Sequence, residues 1–211
     1  MEEVLKMSDF TYEKEDRENS LEKYEWDNVW IDTATDLSRK RVLYIGDSIS
    51  CGSRRKATLT TNESILFDGF GTSKAVDNPY FKDSVKLFAK QEVRRDAVIF
   101  NNGLHGFHLD DSTEYKKHYE EMVKFLLEEF AGTPLIIVLT THVADENRNN
   151  RVLLRNKAAT EIAEKYGLKI IDLYSVSLEN EDLLRPDGVH FTGEGYQKLV
   201  DEILNGLNGV I

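Results

Sequence analysis

Cysteine is nearly missing from this chain: Cys51 is the single one among 211 residues, which leaves no partner for an intramolecular disulfide. Long apolar runs are missing too. The longest strong one, Leu135 to Leu139, is strand-sized, far short of the ~20 residues that cross a bilayer. Positive charge is scarce, with 27 Lys and Arg against 38 Asp and Glu and a net charge of -11. A surface of that sign repels phosphates and lacks the counterion release that drives binding to nucleic acids and anionic membranes. No nucleic-acid partner and no membrane insertion are therefore expected. Proline is sparse, with three residues, and no internal repeat or low-complexity block interrupts the chain, so nothing argues for two domains. The amino terminus, MEEVLKMSDF, is acidic where a secretory signal has a basic region followed by an apolar one. A cytoplasmic protein is the expectation, with a trimmed signal left open.

What is present suffices for one core, since 40% of the residues are apolar. Residues 1–35 read as an acidic arm packed on the domain formed by 36–211. Its first thirty residues hold ten carboxylates against four basic groups, yet Phe10, Tyr12, Tyr24, Trp26 and Trp30 make it too aromatic for a solvated tail. From residue 41 onward, short β-branched runs alternate with longer segments of helical period, the pattern of βαβ units around a parallel sheet in an α/β fold. Strands are expected at Val42 to Ile45, Ser64 to Phe67, Ala97 to Asn101, Leu135 to Thr140 and Lys169 to Leu173. Tyr115, His118, Tyr119, Met122, Phe125, Leu126 and Phe130 form one helical stripe, with Asp111 and Glu114 placed to start it. A second runs from about Asn149 to Tyr166 through Leu154, Ala158, Ile162 and Ala163, ended by Gly167. The last helix starts near Thr192 and ends near Asn205 and Gly206.

In open α/β sheets the ligand site lies beyond the carboxyl ends of the strands. The stretch VLYIGDSIS, residues 42–50, delivers Ser48 to that place. A serine after a strand commonly caps the next helix. As a nucleophile it needs a base, normally a histidine held by a carboxylate. RPDGVHFTGEGY, residues 185–196, supplies Asp187 and His190 in one turn, with Gly188 permitting a tight bend.

GDSIS early in the chain and DGVH directly before a terminal helix resemble the SGNH/GDSL hydrolase superfamily, over roughly residues 41–205. The resemblance implies a flavodoxin-like three-layer sandwich whose five-stranded parallel sheet has the order 2-1-3-4-5. It also implies Ser48 as nucleophile, His190 as general base, Asp187 as its orienting partner, and no metal or organic cofactor. The G-x-S-x-G elbow of ordinary α/β-hydrolases is absent. In this family the oxyanion hole is formed by the serine's backbone N–H, a glycine N–H after the second strand and the asparagine of a G-x-N-D motif after the third. The glycine falls to Gly69, with Gly71 as the alternative. For the asparagine, FNNGLHGFH (residues 100–108) aligns Gly103 with the motif's glycine and puts His105 at the asparagine position. Asn102 is the other candidate.

His105, His108 and His142, with Asp110 and Asp111, can be drawn as a metal site, but H-x-x-H spacing serves one ion when helical, and a Gly-rich strand exit is not. Cys51 reads as a small buried residue rather than a thiol nucleophile, and Asp47 as a residue that ties down its loop. THVADENRNNRVLLRN, residues 141–156, follows the fourth strand and brings His142, Arg148 and Arg151 to the same rim as substrate contacts, beside Asn147, Asn149 and Asn150. Such polar lining favours a short acyl group, acetyl above all, on a carbohydrate or polyol. A lysophospholipase or thioesterase acting on longer chains, and a catalytically impaired ligand-binding member, remain as alternatives. The expected partner is a small-molecule ester, and the oligomeric state stays open.

Overall fold

The computed structural model describes residues 16–92 and 94–211. Phe10 and Tyr12, assigned to the arm, lie outside the described residues.

The sheet is built from runs that are apolar on both faces, as strands sandwiched between helices must be. In β2 (Lys40–Gly46), Leu43 and Ile45 point to one side and Val42 and Tyr44 to the other. β4 (Ala97–Phe100) and β5 (Leu135–Val138) alternate in the same way. On the first side lie α2 (Phe81–Ala89), α3 (Ser112–Glu129) and most of the buried face of α4 (Glu146–Tyr166). On the second lie α1 (Ser48–Thr60), α5 (Leu173–Glu179) and α6 (Gly193–Leu207). Two more strands, β3 (Ile65–Thr72) and β6 (Lys169–Ile171), complete the parallel part. Among the described residues, no helix is long and apolar enough to cross a membrane.

The sheet has six strands rather than the expected five. Its order is β1-β3-β2-β4-β5-β6. The five parallel strands keep the order 2-1-3-4-5 when numbered among themselves. The addition is β1 (Asp27–Trp30), which the arm contributes antiparallel to β3. All four of its residues are exposed, so it has no apolar period to betray it. Polar side chains hold it: Lys74 Nζ and Thr72 Oγ1 each donate to Asp27 Oδ1 at 2.7 Å, and Arg54 donates to Asn28 O and Oδ1 at 2.8 and 2.6 Å. The stretch read as an arm packed on the domain supplies this edge strand.

A second correction concerns α4. Leu154, placed on its apolar stripe, is 49% exposed. Ala158, Ile162 and Ala163 are buried as expected, and Val152, Arg155, Asn156 and Ala159 complete the buried face in place of Leu154.

Candidate active site

β2 ends at Gly46, and Asp47 caps α1, its Oδ1 accepting from Ile49 N at 2.9 Å. Ser48 is the first residue of that helix. Its N–H is one of the four at a helix start with no partner within the helix, in the positive end of the helix dipole. The expectation that Asp47 ties down the loop matches this cap, and its carboxylate stabilises the helix start on which Ser48 sits.

His190 reaches Ser48 from the turn before α6. Its Nε2 lies 2.8 Å from Ser48 Oγ, and its Nδ1 lies 3.2 Å from Asp187 Oδ2. The turn is shaped to do this. Arg185 N donates to His190 O at 2.7 Å, Gly188 N donates to Arg185 O at 2.9 Å, and Gly188 adopts φ +71°, a left-handed angle that favours glycine. Asp187 Oδ1 accepts from the backbone N–H of both Val189 and His190, at 2.9 and 2.8 Å. Partial burial by itself pushes the Asp187 carboxyl up, but those two N–H groups and the imidazole outweigh it and hold the carboxyl below its ordinary range. The carboxylate is therefore charged where it meets the ring. This constellation can hold a serine hydroxyl, a base and an orienting anion in series.

Gly69 and Gly71 do not lie after the second parallel strand, as assigned, but inside it. β3 continues to Thr72, and each glycine is paired on both sides, Gly69 with Tyr44 and Trp30, Gly71 with Gly46 and Asn28. Their physical reason is close packing of α1 on the strand. A Cβ on Gly71 would stand 2.2 Å from Cys51 Sγ, and one on Gly69 2.3 Å from Arg54 Cδ. Cys51 accordingly serves as a packing residue. Burial is the main cause that pushes its thiol up, which leaves it protonated and poorly nucleophilic.

The loop after β4 is anchored to the strand that leads to Ser48, since Asn101 N donates to Ile45 O at 2.9 Å. Asn102 is turned away from the role considered for it. Its Nδ2 donates to Lys74 O at 2.9 Å, its carbonyl accepts from the Tyr115 hydroxyl, and its Oδ1 is buried with no hydrogen-bond partner among the described residues. His105 is buried, with Nδ1 2.9 Å from Glu22 Oε1 and Trp26 edge-on to its ring at 5.8 Å.

The histidines drawn together as a metal site separate. His105 meets Glu22, His108 Nε2 lies 2.7 Å from Asp77 Oδ2, and His142 packs edge-on to Tyr174. Among the described residues, no group of three His, Cys, Asp or Glu is placed to hold a metal ion. His142 shares a cavity of about 610 Å³ with Asn149, Glu146, Glu181, Arg185 and Gly188, so it adjoins the Asp187–His190 turn. Arg148 lies over the Phe107 ring at 5.7 Å, as Arg151 does at 4.8 Å. Asn147 and Asn150 are exposed.

Two residues of this rim escaped the sequence reading. Glu22 sits in an acidic run where no local pattern singles it out. Arg155 donates to four carbonyls of the loop, those of Gly103, His105, Gly106 and Leu109. Its signal was available: an arginine on the 152-155-159-162 line is a charge in an apolar stripe.

The sequence matches no family model and no curated protein. Its structure is similar to solved ones. A member of the lipolytic protein G-D-S-L family from Veillonella parvula superposes with a TM-score of 0.63 at 18% identity, over 79% of this chain and 97% of that one. The lipase/acylhydrolase from Enterococcus faecalis gives 0.63 at 20% identity, over 81% and 96%. An acetyl xylan esterase gives 0.59 at 15% identity, over 79% and 99%. By this likeness the chain has the fold of the G-D-S-L lipolytic hydrolases.

Proposed function

We propose that this protein is a serine-dependent ester hydrolase of the SGNH/GDSL type, with Ser48, His190 and Asp187 as its triad. The observation that carries the reading is the approach of His190 Nε2 to Ser48 Oγ, 2.8 Å, with Asp187 on the other ring nitrogen. Ser48 Oγ attacks the ester carbonyl while its proton passes to His190, and Asp187 stabilises the imidazolium. The C–O bond to the alcohol then breaks, and that alcohol leaves with the proton from His190. Water attacks the acyl-serine, gives its proton to His190, and the acid departs as Ser48 regains its hydrogen. The alkoxide of each tetrahedral intermediate rests on the Ser48 N–H, with His105 or Asn102 of the loop after β4 as the side-chain donor.

The substrate proposed is a short acyl ester, acetyl above all, of a carbohydrate or polyol. The likeness to an acetyl xylan esterase supports it, as do the His142, Asn149 and Arg185 side chains that line the cavity beside the Asp187–His190 turn together with Val143, Ala144, Leu184 and Pro186. The likeness to a lipase/acylhydrolase supports the longer-chain reading. Hydrolysis of p-nitrophenyl acetate, butyrate and octanoate by the wild type and a folded Ser48→Ala variant decides. Turnover that vanishes with Ser48 and falls with chain length is expected. A rise with chain length transfers the reading to longer acyl groups, activity that survives in Ser48→Ala removes the triad, and a folded but inert wild type points to a ligand-binding member.

A further inference from the structure

His142 is 9% exposed, yet its ring is not satisfied by the protein. Its backbone N–H donates to Ser177 Oγ at 2.7 Å, but neither ring nitrogen has a hydrogen bond among the described residues. Nδ1 is sealed, whereas Nε2 stands 3.8 Å from Glu181 Oε2, beyond hydrogen-bonding reach, at the wall of the 610 Å³ cavity that the ring lines. Buried polar groups are normally paired, so an imidazole left open at a cavity wall marks a place for a polar group of a ligand. The same cavity adjoins the triad. Arg185, Pro186 and Gly188 line it, and Gly188 O accepts from Ala144 N at 2.8 Å, which ties the catalytic turn to the loop that carries His142. His190 ends that turn, with Nε2 2.8 Å from Ser48 Oγ. A substrate whose ester lies at Ser48 reaches the cavity by extending past the turn.

Around the cavity, three acidic side chains face one basic one. Glu146 comes from the first residue of α4, Glu181 and Asp182 come from the 3-10 helix Glu181–Leu183, and Arg185 stands against them. Apart from the approach of Glu181 to His142, none of the four has an ion-pair partner among the described residues. Such a lining repels an anion, is indifferent to a neutral group and attracts an ammonium. Its volume lies within the range of pockets that hold small organic ligands, about 300–1,000 Å³.

We propose that this cavity is the alcohol-side subsite of the esterase and takes an ammonium-bearing sugar unit attached to the one that carries the ester. The amine lies against Glu146, Glu181 and Asp182, and a hydroxyl meets His142 Nε2. This rests on the ester-hydrolase reading above, in which the acyl group is short and the alcohol is the part long enough to pass the turn. An imidazole nitrogen donates or accepts according to tautomer, and a hydroxyl does both, so the two match in either state. Asn149 is already engaged. Its Nδ2 donates to the Tyr174 hydroxyl at 3.0 Å and its Oδ1 accepts from Val143 N at 3.4 Å, which braces the loop and leaves His142 as the uncharged side chain to meet the ligand.

The test uses the full chain and two β-1,4-linked disaccharides, of glucosamine and of glucose, which differ in carrying an amine or a hydroxyl at C2. Each is supplied free, for binding by calorimetry, and as its mono-O-acetyl ester, for kcat/KM, at slightly acidic pH where the amines are ammonium groups. The wild type is expected to favour the glucosamine compound about 10-fold in both measurements, since each exposed charge pair is worth a few-fold at most. The preference should fall to within about twofold in a folded Glu146→Gln/Glu181→Gln/Asp182→Asn variant. It should fall likewise for the wild type in about 1 M NaCl, where screening shortens to ~3 Å. His142→Phe should weaken both disaccharides alike and leave their ratio unaltered. Equal treatment of the two by the wild type, a preference that survives the triple variant or the salt, or one seen in binding but not in hydrolysis overturns the proposal. Calorimetry needs no turnover, so the preference should also be present in Ser48→Ala. Activity that persists in Ser48→Ala convicts the triad reading, whereas a missing binding preference convicts the subsite even where Ser48→Ala is inert.

Discussion

Asp187 carries two duties that one substitution separates. Its Oδ1 holds the turn through the N–H groups of Val189 and His190, and its Oδ2 faces the His190 ring. In Asp187→Asn an amide oxygen still serves the turn, while an NH2 group now meets Nδ1 and can only donate. That selects the tautomer with hydrogen on Nε2, which cannot take a proton from Ser48. Loss of about 10⁴ in kcat is the precedent for such a change in a buried triad. Here the Asp187 side chain is 50% exposed and the contact is 3.2 Å, so a smaller loss, about 100- to 1000-fold, is expected, with Tm little changed. Steady-state kinetics and a melting curve check it, and a kcat within a few-fold of wild type would deny Asp187 the orienting role. At this scale the sequence was legible where chemistry and spacing coincide: D-x-x-H is short, so its geometry is local. Glu22 and His105 are 83 positions apart, and nothing local in either predicts the other.

The elements were legible where an apolar period exists and illegible where packing is polar or close. β2, β4 and β5 announced themselves because both faces are buried, whereas β1 buries neither face and is held by Asp27 and Asn28. The two strand glycines misled for a related reason. A glycine near a strand end signals either a needed N–H or a needed absence of side chain, and only the packing of α1 distinguishes these. The consequence is measurable. Gly71→Ala sets a methyl 2.2 Å from Cys51 Sγ, an overpacking that costs about 1–3 kcal/mol, and shifts the helix whose first residue is Ser48. Cys51→Ala removes the obstructing sulfur. In urea unfolding, Gly71→Ala should cost about 1–3 kcal/mol less stability in the Cys51→Ala background than in the wild type, and kcat should recover with it. Additive losses would mean that Gly71 serves something other than this contact.

Across the whole molecule, charge is divided between the two ends of the sheet. The carboxyl ends carry the triad and the Glu22–His105 pair. Toward the other end, Arg41 near the start of β2 forms a buried two-pronged pair with Asp68, at 2.9 and 2.8 Å, while Arg95 just before β4 bonds Glu92 at 3.1 Å. Burial pushes the Glu92 carboxyl from 4.5 up to about 8, against the pull of Arg95 and with the help of Asp68. Since the folded value lies above the unfolded one, the folded state binds more protons between about 4.5 and about 8. Its contribution to stability is complete below that window and is lost as pH rises through it, at no more than about 1.4 kcal/mol per pH unit. Glu120 behaves oppositely. Lys165, Tyr166 and Lys124 hold it down to about 2, so its contribution is present above 4.5 and is lost as pH falls toward 2. The two windows do not overlap. Glu92→Gln should therefore flatten the decline of the urea midpoint between pH 5 and pH 9 and leave esterase activity at pH 7 unchanged, because it lies away from the carboxyl-end rim that holds Ser48. Parallel midpoint curves for variant and wild type would mean that Glu92 is already charged in the folded protein, with Arg95 outweighing the cost of burial.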